Sequence, residues 1–468
     1  MNELNNTYCN PLPIPSIPVG RGAYDPKYTG DWWREFGDPT VIRFKGRWFL
    51  FPSCGMLWYS DDFIHWTHHR INLFDVGWAP SVIEKNGVLY LTASWEGTKI
   101  WRAADPLGHW ECLGPIRDHN GCELSWADPM LFVDDDGAMY AYYSIGANRG
   151  LYGARLADDD PTRFAAAPVH FFAFDPANHP WERFGEYRQN GKISHLEGAY
   201  MTKYQGRYYL QYSAAGAEWR NYAVGCYVGD SPLGPFRCQQ HNPILIHRGG
   251  LINGCAHHAV VTGPDDKLWC FYTILLRRYR ALERRIGMDP VRFDENGEMF
   301  VDGPSESPRF IDGAYPDRVL PLTVCQPTTA SSSSPGRDPE YAVDNYARTW
   351  WQAAEPVCPQ YLSVNLDEEY ETMAARVIFN EQPLPHNPAP AIFRFRIEGS
   401  LDGANWITLC DCSDSTFDGH IRFETWSATR CRHVRLVILA VPAGITPGVL
   451  DFCVFGKAIG PDYVYSAL

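Results

Sequence analysis

Residues 197–213 read EGAYMTKYQGRYYLQYS: a short apolar strand, a turn at Gly206 and an aromatic strand, headed by a carboxylic acid, Glu197. The same template returns four more times. It appears as DPTVIRFKGRWFLFPS from Asp38, APSVIEKNGVLYLTAS from Ala79, DPMLFVDDDGAMYAYYS from Asp128 and HHAVVTGPDDKLWCFYT from His257. The turn residue follows the head by eight positions in the first two of these (Gly46, Gly87) and by nine in the other copies (Gly137, Gly206, Asp266). Several copies also close alike, on YSDDFIHW (59–66), AADPLGHW (103–110) and GDSPLGPF (229–236). The heads lie 41, 49, 69 and 60 residues apart, at or beyond the roughly 40–45 residues of a minimal four-stranded blade, which leaves room for four strands and variable loops. Five such units predict an all-β chain built on a five-bladed β-propeller.

Composition agrees with that reading. A chain of 468 residues is too long for one core and implies two domains. Aromatic content of 14%, with 36 Pro and 40 Gly, favours many short strands joined by tight turns. No window carries a long helical stripe, and no run of about 18 apolar residues could cross a bilayer, so no membrane partner is expected. The net charge of −14 argues against nucleic acid, which needs a basic surface. One basic run, LLRRYRALERR (275–285), goes against that balance and reads as a solvated hairpin edge, or as the source of one site arginine. The 14 Cys form no CxxC pairs, and Cys410 with Cys412 do not make a zinc site; free thiols are expected. The opening MNELNNTYCNPLPIPSIP has no basic and apolar export pattern, and a cytoplasmic location is the expectation.

In a propeller the first strand of each blade lies innermost, so the five heads face one another around the axis. Asp38, Asp128, Glu197 and His257 then share a pocket with Ala79. Two acids flanking a sugar are the minimum apparatus for glycoside hydrolysis, one protonating the leaving oxygen and the other activating water or attacking the anomeric carbon. A third carboxylate raises the pKa of the acid by like-charge repulsion. Trp33, Trp78 and Trp126 stand just before three heads and read either as faces for a sugar ring or as core. The DDD at 134–136 occupies a hairpin turn and reads as solvated.

GDPTVIRFKGRWFLF, WAPSVIEKNGVLYL, ADPMLFVDDDGAMYAYY and LEGAYMTKYQGRYYLQYS, taken in order, resemble the blade-opening motifs of glycoside hydrolase family 43, over about residues 10–310. The resemblance implies an inverting, exo-acting enzyme that removes α-L-arabinofuranosyl, β-xylosyl or β-galactofuranosyl residues from plant-type glycans. It implies that Asp38 is the general base, Asp128 the acid that tunes and orients its neighbour, and Glu197 the general acid. GCAHHAVV is similar to the segment whose His contacts an axial ion, Ca2+ by resemblance, or water; His257 fits that place, and a merely packed ring is the alternative. RRIGMDPVRFDENGEM resembles the segment that supplies a substrate-contacting arginine, Arg284, with Arg285 as the competing assignment. A glycan-binding protein without chemistry is the reading from a different class.

Past Phe310 the composition turns to small polar residues and Pro, and a new strand pattern begins. The Asp402-Gly403 turn joins two of its strands as a hairpin. AVDNYARTWW, IEGSLDGANW, HVRLVI and LDFCVFG resemble a discoidin, or factor 5/8 C-type, β-sandwich over about residues 323–457, a fold that often binds carbohydrate. That resemblance implies a structural Ca2+ at Asp344, Thr349 and Asp451. The expected division is a propeller over 1–320 and a sandwich over 321–468. The sequence sets no oligomeric state.

Overall fold

The computed structural model describes residues 3–16, 36–53, 55–73, 76–94, 98–278, 282–381 and 390–460. Trp33 lies outside them. Five four-stranded antiparallel sheets follow one another, each meandering outward in sequence order. Their innermost strands are Thr40–Phe44, Ser81–Lys85, Ala127–Val133, Glu197–Tyr204 and Ala256–Thr262. Each lies against its counterparts in the two neighbouring blades, and the fifth returns to the first, so the ring closes.

Local chemistry sets the hairpins. Lys45-Gly46, Asn86-Gly87 and Gln205-Gly206 all take positive φ at both turn positions, the conformation that two-residue loops need to match strand twist. Blades pack through apolar faces: Phe51, Leu89, Leu91 and Trp110 join the first two, and Met130, Leu196, Leu210 and Tyr212 join the third and fourth. Among the described residues, the seam between fifth and first blades has no shared strand. It is held by Trp48 Nε1–H donating to the Thr262 carbonyl at 2.9 Å and by Phe63 set edge-on to Trp269 and Phe271.

One register differs from the sequence alignment. The heads Asp38, Ala79, Asp128 and His257 all have left-handed φ, between 42° and 54°, but in the fourth blade Gly198 takes that place with φ 57°. Glu197 pairs with Ser213 just as Ala127 pairs with Ser144, one step earlier. Counted from Gly198, the turn at Gly206 falls eight residues on, as in the first two blades. Glycine is required there, because a Cβ would stand 2.9 Å from Ser213 Oγ and 3.2 Å from His257 Nδ1.

The second unit contains the described residues 3–16 together with Ser305 onward, so the boundary falls at 304/305 instead of 320/321. Thr7–Tyr8 pairs with Arg309–Phe310. The reason is Arg376: buried, it pairs with Asp451 at 2.7 Å and donates to the carbonyls of Asn10 (3.0 Å) and Glu306 (2.6 Å). Here an eight-stranded network wraps a core of Trp351, Leu362, Phe379, Phe395, Leu436 and Phe452 as a β-sandwich. Two 20-residue strands, Gln360–Phe379 and Ile421–Ala440, run through it, with register shifts between Asn365 and Tyr370 and between Thr372 and Ala374. The Asp402-Gly403 hairpin joins Arg394–Ser400 to Ile407–Cys412 as expected, Asp402 accepting from the N–H groups of Ala404 and Asn405. The described cysteines are free.

Candidate active site

A ring of hydroxyls holds the heads in place. In four blades a Ser or Thr in or just past the second strand accepts the N–H of the next blade's head through its hydroxyl: Ser53 from Ala79 (3.0 Å), Ser94 from Asp128 (2.6 Å), Ser213 from His257 (2.8 Å) and Thr273 from Asp38 (2.9 Å). In the fourth blade the N–H of Gly198 donates instead to Asp128 Oδ2 at 3.2 Å. The side chains are thereby aimed at one axis.

There the predicted residues meet. His257 Nδ1 stands 3.5 Å from Asp38 Oδ1 and 3.4 Å from Asp128 Oδ2. Asp38 is clasped by Arg284, Nη1 to Oδ1 at 2.5 Å and Nη2 to Oδ2 at 2.8 Å, and receives the Ser53 hydroxyl at 2.6 Å. Gly37 leaves room for that clasp, since a Cβ would lie 2.7 Å from Arg284 Nε. The guanidinium also lies 5.8 Å from the ring centroid of half-buried Trp78. Tyr222 donates its hydroxyl to Glu197 Oε1 at 2.9 Å, and His195 Nδ1 lies 4.0 Å from Oε2.

The electrostatics separate the acids. Burial raises the pKa of Glu197 and the charge of Asp128 adds to it; together they outweigh the Tyr222 hydrogen bond and His257 and push it up to about 8. Burial acts in the same direction on Asp38, but Arg284, His257 and Ser53 overcome it and hold the carboxyl below its usual range. Burial opposes a charged His257, yet Asp38 and Asp128 push its pKa up to about 9. At neutral pH the pocket therefore holds a protonated Glu197, an ionised Asp38 and an imidazolium between Asp38 and Asp128. Two carboxyl groups with pKa values driven apart are the arrangement that acid/base chemistry requires.

Other expectations are corrected. Trp126 is core: its indole N–H donates to the Ala93 carbonyl at 3.3 Å and its ring packs on Tyr143 and Phe164. The basic run is no solvated edge, because Arg277, Arg284 and Arg285 are buried, the first paired with Glu283 at 2.8 Å. Arg284, and not Arg285, faces the acids; Arg285 Nη1 donates to the Arg284 carbonyl. His257, the residue expected at the axial-ion position, faces Asp38 and Asp128 with its Nδ1. The Asp344, Thr349 and Asp451 set does not fit Ca2+ as placed: Asp451 is paired with Arg376, and Thr349 donates its hydroxyl to Asp344 at 2.7 Å. Arg376 already supplies the positive charge. Tyr222 and the hydroxyl ring had escaped the sequence reading, although Ser53, Ser94, Ser213 and Thr273 each end a copy of the template and could have been found there.

A closed five-bladed propeller whose axis gathers a protonated and an ionised carboxyl carries the acid pair that glycoside hydrolysis uses. The chain belongs to the glycosyl hydrolases family 43, whose model matches residues 34–299, and the F5/8 type C domain model matches residues 327–446. It is similar to a β-D-galactofuranosidase of Aspergillus niger, 25% identical over 56% of this chain and 81% of that one. A xylosidase/arabinosidase of Bacteroides ovatus is 24% identical over 58% of this chain and 95% of that protein. Among solved structures, a thermostable family-43 glycoside hydrolase superposes with a TM-score of 0.52 at 25% identity, covering 64% of this chain and 98% of the other.

Proposed function

We propose that this glycoside hydrolase is inverting and exo-acting and releases a terminal α-L-arabinofuranosyl residue, or a β-xylosyl one, from plant-type glycans. The observation that carries the reading is the opposite protonation of Glu197 and Asp38 around one axis. Glu197 gives its proton to the departing oxygen. Asp38 takes one from the attacking water. A carboxylate held by two guanidinium nitrogens and a hydroxyl is a weak base, so Arg284 must first turn from Asp38 to a substrate hydroxyl; the clasp keeps Asp38 ionised until then. Asp128 and His257 set the charge around both. The name of the Bacteroides relative supports an arabinosyl or xylosyl substrate, and that of the Aspergillus relative supports β-galactofuranoside as a second reading.

The test is a panel of p-nitrophenyl arabinofuranoside, xyloside and galactofuranoside, with the first-formed anomer followed by NMR. An anomer of inverted configuration from one of the first two is expected. Retention of configuration would overturn the roles given to Asp38 and Glu197.

A further inference from the structure

A further cavity, of about 400 Å3, has walls that include Glu186, Arg188, Arg220, Asn221 and His247. Two of its walls lead along the chain toward Glu197. Asn221 precedes Tyr222, whose hydroxyl holds Glu197, and Glu186 lies two residues beyond Phe184, whose ring stands 5.6 Å from that of His195. Both guanidinium groups, of Arg188 and of Arg220, are half-buried and have neither an ion pair nor a hydrogen bond among the described residues. Arg188 is presented on a tight turn, its N–H bonded to the Gly185 carbonyl at 3.0 Å with φ 57°, a strained conformation of the sort that gathers at ligand sites. Glu186 offsets part of this charge but turns Oε2 to the Arg220 backbone N–H at 3.3 Å, which leaves one positive charge in excess.

His247 adds the complementary atom. Asn221 gives its amide N–H to the Glu186 carbonyl, so its oxygen faces His247 Nε2 at 3.0 Å and must receive that nitrogen's hydrogen. Burial first, and then Arg220 and Arg188, keep the ring neutral. Nδ1, buried without a partner, is left as an acceptor. A cavity of this volume holds a sugar ring. Two open guanidinium groups suit a carboxylate, and an open acceptor suits a neighbouring hydroxyl. A neutral sugar would leave the excess positive charge uncompensated.

We propose that this cavity binds a uronic acid residue on the chain from which the terminal sugar is released. It rests on the glycosidase reading only for its position: the group that Glu197 protonates departs on Glu197's side, so this cavity belongs to the part of the glycan left behind. The probes are 4-O-methylglucuronosyl xylotriose and the same oligosaccharide after reduction of its carboxyl group, titrated calorimetrically into the full chain. The acidic probe is expected to bind at least tenfold more tightly than the reduced one. Arg220→Gln and Arg188→Gln should each shrink the difference, and the double variant should abolish it, while p-nitrophenyl glycoside turnover stays within twofold. Equal affinity for the two probes, binding of neither, or a preference that survives in the double variant would overturn the proposal. Absence of aryl glycoside turnover in the unaltered protein would instead refute the function reading, and the calorimetric comparison would still report on the cavity.

Discussion

Replacing Tyr222 by Phe removes the hydroxyl that donates to Glu197 and leaves the buried ring in place. That hydroxyl favours the ionised acid, since a hydrogen bond contributes about 1.5–3 kcal/mol to a charged acceptor and about 0.5–1.5 to a neutral one. The difference, about 1 kcal/mol, corresponds to about 0.7 of a pKa unit. Glu197, already near 8, should therefore titrate higher. A general acid works only while protonated, so the alkaline limb of kcat/KM should move to higher pH. At pH 9 the variant should retain about three- to fourfold more of its own plateau than the unaltered enzyme retains. The acidic limb, set by Asp38 and its Arg284 clasp, should stay where it is, because Tyr222 does not touch it. His257 loses its proton in the same alkaline range and broadens the limb in both proteins. The assay is kcat/KM for an aryl glycoside from pH 5 to 10, with thermal unfolding as the check on fold. An alkaline limb that stays fixed, or moves to lower pH, would remove Glu197 from the role of proton donor.

Glu197→Gln should lose about 10²–10⁴-fold on glycosides with poor leaving groups and far less on a dinitrophenyl glycoside, whereas Asp38→Asn should lose activity on both; steady-state rates on the two substrates make the comparison. The same Glu197→Gln change should stabilise the fold at high pH. A carboxyl whose folded pKa of about 8 exceeds its free value of 4.5 costs nothing below that free value, and stability falls as pH rises through the interval; Gln escapes a penalty of a few kcal/mol, read as a midpoint shift at pH 9 that vanishes at pH 4. Thr273→Val leaves the Asp38 N–H without its acceptor in a buried seam and should cost about 1–3 kcal/mol in denaturant unfolding. Asp451→Asn should cost about 3–5 kcal/mol by stranding buried Arg376, and chelator should leave unfolding of the unaltered protein unchanged; a chelator-induced drop would show that an ion shares the site.

The propeller was legible because its signal is periodic: five heads, five turns, and alternation between them. What recurs can be aligned, and Asp38, Asp128 and His257 were placed by recurrence alone. The alignment slipped at the fourth blade, where it matched an acid to an acid, while the backbone matches Gly198 to Asp128 because both sit at positive φ. Tyr222 was not legible, since it stands just before the third strand of its blade, outside the repeated template, whereas Arg284 was named only through the family resemblance and not by recurrence. The basic run was misread for a related reason. Charge runs predict solvated faces only when the charges lack partners, and the partner of Arg284, Asp38, lies 246 residues away. Arg376 escaped notice in the same way, its Asp451 being 75 residues distant.

Ala79 separates what the fold demands from what the chemistry demands. It carries no functional group, yet it adopts φ 52° and gives its N–H to Ser53 as the acidic heads give theirs to Ser94 and Thr273. Left-handed backbone costs an L-residue on the order of 1–2 kcal/mol, so the conformation belongs to the blade entrance itself and is sustained by the hydroxyl behind it. The ring thus offers five inward-facing positions, made alike by backbone geometry, and chemistry depends on which of them bear acids. Glu197 reaches the pocket from one residue outside this scheme. That displacement lets its carboxyl take the Tyr222 hydroxyl instead of an Arg284 clasp, and the difference in partners is why one acid keeps its proton where the other gives it up.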